Sequence, residues 1–101
     1  MNDADNFEWD DQKALVNYAK HGVSFEEASE VFNDLFGIEK LDDREAYGEE
    51  RFIRIGIAGN KLLMVVYTER GEKTRIISAR EVTKNERNDY YRENAQGWDD
   101  S

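Results

Sequence analysis

The stretch that decides the fold is RFIRIGIAGNKLLMVVYTERGEKTRIISAR, residues 51–80. From Phe52 to Ile57 the residues alternate. Ile53, Ile55 and Ile57 point one way, and Phe52, Arg54 and Gly56 the other, the period-two pattern of a strand with one face in a core. Gly59-Asn60 supplies a two-residue turn that tolerates positive φ. Placed between Ala58 and Lys61, the turn sets Ile57 opposite Leu62, Ile55 opposite Met64 and Ile53 opposite Val66. Phe52 then lies beside Tyr67, and Arg54 beside Val65, on the other face. A second hairpin turns near Gly71 and returns through Thr74–Arg80. Two registers, one residue apart, fit it. In one, Tyr67 pairs with Arg75; in the other, Ser78 and Arg80 join Tyr67's face.

The charge is divided along the chain. Residues 1–50 hold fifteen acids and four bases, a net of −11, whereas residues 51–92 hold five acids and ten bases, a net of +5. Two surfaces with different partners are expected. The whole chain carries −9, which argues against a general nucleic-acid binder but leaves room for a local basic face. Its 101 residues suit one domain, 1–101, with loose tails at 1–6 and 95–101. With no cysteine there is neither disulfide nor thiolate metal site. No apolar run reaches membrane-spanning length and the N-terminus has no signal-peptide pattern, so a cytoplasmic protein without a membrane partner is expected.

The rest of the chain reads in order. Phe7-Glu8-Trp9 is a short edge strand, and Asp10 or Asp11 caps a helix running through Lys20. Its apolar stripe is Ala14, Leu15, Tyr18 and Ala19. Gly22 stops it. Ser24 with Glu27 is a capping box opening a second helix, with Phe25, Ala28, Val31 and Phe32 as its stripe, ended by Asn33-Asp34. Leu35–Leu41 is a strand and Asp42–Glu50 an acidic loop. Thr83 with Glu86 is another capping box, opening a last helix through Asn94. The fold class is α+β: an antiparallel sheet, two N-terminal helices and a C-terminal helix, with the helices mostly on one face.

Several strings are specific together: FEWD at 7–10, KHGVSFEEA at 20–28, VF at 31–32 before Asn33-Asp34, LLMVVYTERG at 62–71, and TRIISAR at 74–80. In this order and separation they resemble the BrnT family of toxins from bacterial toxin–antitoxin pairs, over about residues 7–91. The resemblance implies a RelE-like fold, a ribonuclease that arrests translation, and neutralisation by a small ribbon-helix-helix antitoxin, through which alone the toxin would meet DNA. Leu35-Phe36 stands where the family often has a proline, and the family is commonly less acidic.

RNA cleavage without a metal or other cofactor needs a base for the 2′-hydroxyl, cations for the phosphorane and an acid for the leaving 5′-oxygen. Arg75 and Arg80, matching the family's arginines in TRIISAR, are expected to grip phosphate with their planar forks. Arg51 matches another family arginine. Tyr67 reads two ways, as a phosphate or base contact or as cross-strand packing. His21 suits proton transfer near neutrality, with Lys20 supplying charge, yet both also suit a helix C-terminus. The catalytic set is therefore Lys20, His21, Arg51, Tyr67, Arg75 and Arg80, with Arg54, Lys73 and Arg87 as further RNA contacts and no metal ligands. Phe7, Trp9 and Tyr18, among acids, are expected to meet a basic antitoxin segment, Trp9 reading equally well as core. The alternative function is a non-catalytic binding module of the same fold, acting as antitoxin partner and co-repressor.

Overall fold

The computed structural model describes residues 6–44, 46 and 48–96. Most of both expected tails, Trp98 included, lies outside the described residues. The elements are β1 (Phe7–Glu8), α1 (Asp11–His21), α2 (Phe25–Ser29), a 3₁₀ turn (Glu30–Asn33), β2 (Ile38–Leu41), β3 (Phe52–Ala58), β4 (Lys61–Arg70), β5 (Lys73–Glu81) and α3 (Lys84–Gln96). The strands form one sheet in the order β1-β5-β4-β3-β2. β1 pairs with β5 in parallel, so the sheet is mixed and not purely antiparallel as the sequence suggested. A two-residue strand leaves no pattern that distinguishes the two directions. Among the described residues no helix is long and apolar enough to cross a membrane.

The first hairpin has the register read from its alternation: Ile57 opposite Leu62, Ile55 opposite Met64, Ile53 opposite Val66 and Phe52 opposite Tyr67. Gly59 and Gly71 open the two turns with φ of 63° and 60°, where a side chain would be strained. The second hairpin follows neither expected register. Tyr67 pairs with Ile76, and Thr68 with Arg75. A shift between Val66 and Tyr67 then sets Val66 opposite Ser78, leaving Ile77 as the extra residue of a β-bulge.

Both faces of the sheet are covered. On one, Leu63, Val65, Ile76 and Ala79 pack with Val23, Phe25, Ala28 and Val31 from the α1–α2 region. On the other, Ile53, Ile55, Leu62, Met64 and Val66 pack with Tyr90 of α3. The expectation that the helices lie mostly on one face therefore fails for α3. The isoleucines mark the smaller core, because a strand buried on both sides supports two apolar sets. Gly56 lies where a Cβ would come within 3.0 Å of the Val31 carbonyl oxygen, so a bare backbone there lets the 3₁₀ turn settle on β3.

The helix caps follow the sequence. Asp10 accepts from the Gln12 and Lys13 N–H groups, and Ser24 Oγ from the Glu27 N–H. Thr83 and Glu86 form a reciprocal box, Glu86 N–H to Thr83 Oγ1 at 3.2 Å and Thr83 N–H to Glu86 Oε1 at 2.9 Å. The second helix is shorter than expected, since after Ser29 it tightens into the 3₁₀ turn. In α1 the apolar stripe is not the buried face. Leu15 and Tyr18 are 66% and 59% exposed, and the buried residue is Asn17.

Asn17 replaces a missing strand. β1 covers only Thr74 and Arg75 of β5, so the outer edge beyond them has no β partner. The Asn17 amide donates to the Ala79 carbonyl at 2.9 Å and accepts from the Ala79 N–H at 3.1 Å. It also donates to the Val23 carbonyl at 3.0 Å. One side chain thus satisfies three buried backbone groups and fixes α1 against the edge.

Asp34 holds the opposite flank. Its Oδ2 accepts from the Tyr90 hydroxyl at 2.7 Å and the Ile57 N–H at 2.9 Å, and its Oδ1 from the Phe36 N–H at 2.9 Å. Burial alone would raise the Asp34 pKa; the Tyr90 hydroxyl, the two N–H groups and the Arg54 charge outweigh it and hold the carboxyl below its usual range. Burial and the Asp34 carboxylate raise the Tyr90 phenol in turn.

Two outcomes are expected. Asn17→Ala leaves buried backbone groups unpaired and lowers the free energy of unfolding in urea by about 2–4 kcal/mol, whereas an exposed control, Ala19→Ser, changes it by less than about 0.5 kcal/mol. Because the folded-state pKa of Asp34 is depressed, its contribution is present above the unfolded carboxylate pKa and is lost as pH falls through the folded value. Stability should decline below about pH 4, less steeply in Asp34→Asn; an equally steep fall in that variant would contradict this assignment.

Candidate functional site

α1 and β5 run side by side in the same direction. Asp10, before the helix, lies within the field of Arg75 near the start of β5, and Asn17 reaches Ala79 near its end. Between them lies an open groove of about 330 Å³, lined by Gln12, Lys13, Val16, Asn17, Lys20 and His21 from α1 and by Ile77 and Ser78 from β5. Every charged or titratable group in that lining is a potential cation. Lys13, Lys20 and His21 form no ion pair among the described residues. In a chain of net charge −9 this is a local positive channel.

The bulge gives the groove its flanks. Arg75, Ser78 and Arg80 stand opposite Thr68, Val66 and Met64, which alternate on one face of β4. All three therefore point to the same side of the sheet. In a regular ladder with no bulge, Arg75 and Arg80, five positions apart, would lie on opposite faces. They bracket Ile77 and Ser78 along β5, about 15 Å apart at ordinary strand rise. They stand as two separate cations along the strand and do not converge on one point.

Each of these guanidinium groups has a carboxylate partner. Arg75 Nη1 donates to Glu8 Oε2 at 2.9 Å. Arg80 donates through both Nη atoms to the two oxygens of Glu86, each at 2.8 Å. The Arg80 fork, followed by burial acting the other way and the Thr83 N–H, leaves the Glu86 pKa below its usual range. About a quarter to a third of each side chain in the two pairs is exposed, so solvent and solutes reach them.

The other candidates lie elsewhere. Tyr67 is 6% exposed, donates to Glu39, and sits edge-on to Phe32 at 4.9 Å and beside Phe52 at 5.4 Å. Burial, then Glu39, pushes its phenol pKa well up, so it stays protonated. Arg54 is bound to the same Glu39, to the Val31 and Asp34 carbonyls at 3.1 and 2.9 Å, and lies over the Phe32 ring. Tyr67 and Arg54 thus tie β2, β3, β4 and the 3₁₀ turn together. Arg51 lies 3.5 Å from Glu49, which also approaches Arg70. Lys73 is exposed at the β4–β5 turn and Arg87 is exposed on α3. Sequence reasoning missed Gln12 and Lys13. A lysine four residues before the buried Asn17 and seven before Lys20 shares their helix face, which only the burial of Asn17 makes visible.

The opposite flank of α1 borders a second groove, of about 460 Å³, lined by Trp9, Asp11, Ala14, Leu15, Tyr18, Ser24, Phe25 and Glu26. Its charges are both acidic. Trp9 stands edge-on to Phe25 at 5.9 Å, at once core and groove wall. Phe7 packs inward on Phe32 at 5.2 Å. Among the described residues no three acid, histidine or cysteine side chains form a group able to hold a metal ion.

No curated protein matches the chain. A family model described as the ribonuclease toxin BrnT of type II toxin–antitoxin systems matches residues 9–86, which include α1, both grooves and all of the large hairpins. The chain belongs to the BrnT family of ribonuclease toxins of type II toxin–antitoxin systems.

Proposed function

We propose that this toxin cleaves RNA laid along the groove between α1 and β5, on a RelE-like scaffold in the cytoplasm, without a metal. The observation that carries the reading is the groove itself, lined by Lys13, Lys20 and His21 and flanked by Arg75 and Arg80. The substrate's 2′-oxygen attacks phosphorus as the bond to the 5′-oxygen breaks, leaving a 2′,3′-cyclic phosphate and a 5′-hydroxyl. His21 exchanges protons with the reacting oxygens, and Lys20 and the arginines stabilise the charge on the phosphorane. Lys73 and Arg87 extend the cationic track at either end. Arg51, Arg54 and Tyr67 act at a distance, by holding the sheet on which the groove is built.

Phosphate can take the forks of Arg75 and Arg80 only by displacing Glu8 and Glu86. That exchange favours a second reading, in which the carboxylates hold their places and the protein is a non-catalytic partner of its antitoxin. In either case the antitoxin, of the ribbon-helix-helix class and the chain's link to DNA, presents a basic, apolar segment to the Trp9–Tyr18 groove. The exposed Leu15 and Tyr18 and the acidic Asp11 and Glu26 support that side of the reading.

Assays of cleavage, growth arrest and neutralisation bear on these readings. Arg80→Ala is expected to abolish growth arrest and to lower RNA cleavage by 10²-fold or more with the fold intact by circular dichroism. Glu86→Gln, which keeps the cap bond but removes the charge, should raise cleavage several-fold, and chelator should leave the rate unchanged. No cleavage by purified wild type at low salt, with antitoxin binding retained, would establish the non-catalytic reading. Tyr18→Asp should remain toxic and escape neutralisation by the cognate antitoxin; full neutralisation would place the antitoxin elsewhere.

A further inference from the structure

The geometry points to a base-binding subsite in the α1–β5 groove, in which Val16 and Ile77 hold one unstacked RNA base and Gln12 and Ser78 read its edge. The inference rests on the proposal that RNA lies in this groove and adds what the groove selects.

The groove is not lined for phosphate alone. Beside its cations it carries two apolar side chains from opposite walls, Val16 of α1 and Ile77 of β5. Val16 is 63% exposed, though it belongs to a helix whose other flank faces the core. Ile77 is placed there by the bulge, since it is the residue without a partner on β4. The volume of about 330 Å³ is at the lower end of sites for small organic ligands, enough for one base and not for a stacked pair.

The polar groups divide clearly. The Asn17 amide is spent on Val23 and Ala79 and is unavailable to a ligand. The Gln12 amide and the Ser78 hydroxyl have no hydrogen-bond partner among the described residues. An amide offers a donor and an acceptor, and a hydroxyl offers either, which is what a base edge requires. Lys13 and Lys20, seven residues apart, stand about 10 Å from each other along the helix axis, so each can meet a phosphate on either side of the held nucleotide. A base reaches Val16 and Ile77 only after leaving its stack, so paired RNA can offer this groove its backbone alone.

The test uses ten-residue 2′-O-methyl RNA, which cannot be cleaved, single-stranded or annealed to its complement, with binding read by fluorescence anisotropy at low salt. Wild type should bind the single strand at least about tenfold tighter than the duplex. Val16→Ser removes apolar contact without adding charge; it should weaken single-strand binding about fivefold and leave duplex binding unchanged. Lys13→Ala should weaken both forms alike. Gln12→Glu, which exchanges the amide's donor for an acceptor, should alter the preference among homopolymers of the four bases. Equal binding of the two forms by wild type, or a Val16→Ser variant indistinguishable from it, would overturn the subsite. The ribonuclease reading would still stand if Arg80→Ala abolished cleavage. Absence of both RNA binding and cleavage would remove that reading too.

Discussion

The buried amide of Asn17 is the interaction on which the rest depends. A sheet edge in a small protein leaves N–H and C=O groups seeking partners, and a helix cannot satisfy them with its own backbone. Here one side chain does so, bonding both backbone groups of Ala79 and reaching back to Val23. α1 is thereby held beside β5 and not across it. Helix and strand leave an open channel between them, and the core residues Val23 and Phe25 follow directly from the docked helix.

That arrangement decides which surfaces are free. The charges of α1 are sorted, acids toward the Trp9–Phe25 side and bases toward Ser78. The helix is a partition with a cationic trough on one flank and an acidic, apolar one on the other, separated by the exposed Leu15 and Val16. A ligand on one flank that rises over this ridge will crowd a ligand on the other. The chain's net negative charge, an objection to polyanion binding when averaged, is largely confined to other surfaces or consumed in pairs such as Arg75–Glu8 and Arg80–Glu86.

Much of this was legible in residue order, and the misses have physical causes. The first hairpin, the caps at Asp10, Ser24 and Thr83, and the edge position of Phe7–Glu8 follow from local patterns, which local forces enforce. The parallel direction of β1 and the placement of α3 opposite the other helices are long-range facts that two-residue or polar segments do not encode. The buried face of α1 was misread because apolar periodicity marks whatever surface is to be covered, by core or by partner; burial went to a polar residue with three backbone bonds to make. Tyr67 and Arg54 looked reactive because their type is reactive, whereas Glu39, Phe32 and nearby carbonyls hold them in place. The bulge leaves no mark in residue order, because strict alternation fits the second hairpin in either regular register and only the packing of β5 on β4 selects the irregular one.

The spare residue at Ile77 also sets how β5 can change in length. Side chains on a regular strand obey parity, so Arg75 and Arg80, an odd number of positions apart, share a side only because the ladder slips between them. Losing the position at Ile77 would leave an even spacing and a regular ladder, with both arginines on the side they already occupy and only the spare apolar side chain gone. The cationic flanks of the channel and its apolar wall are therefore separable, and the strand can shed the second without turning the first.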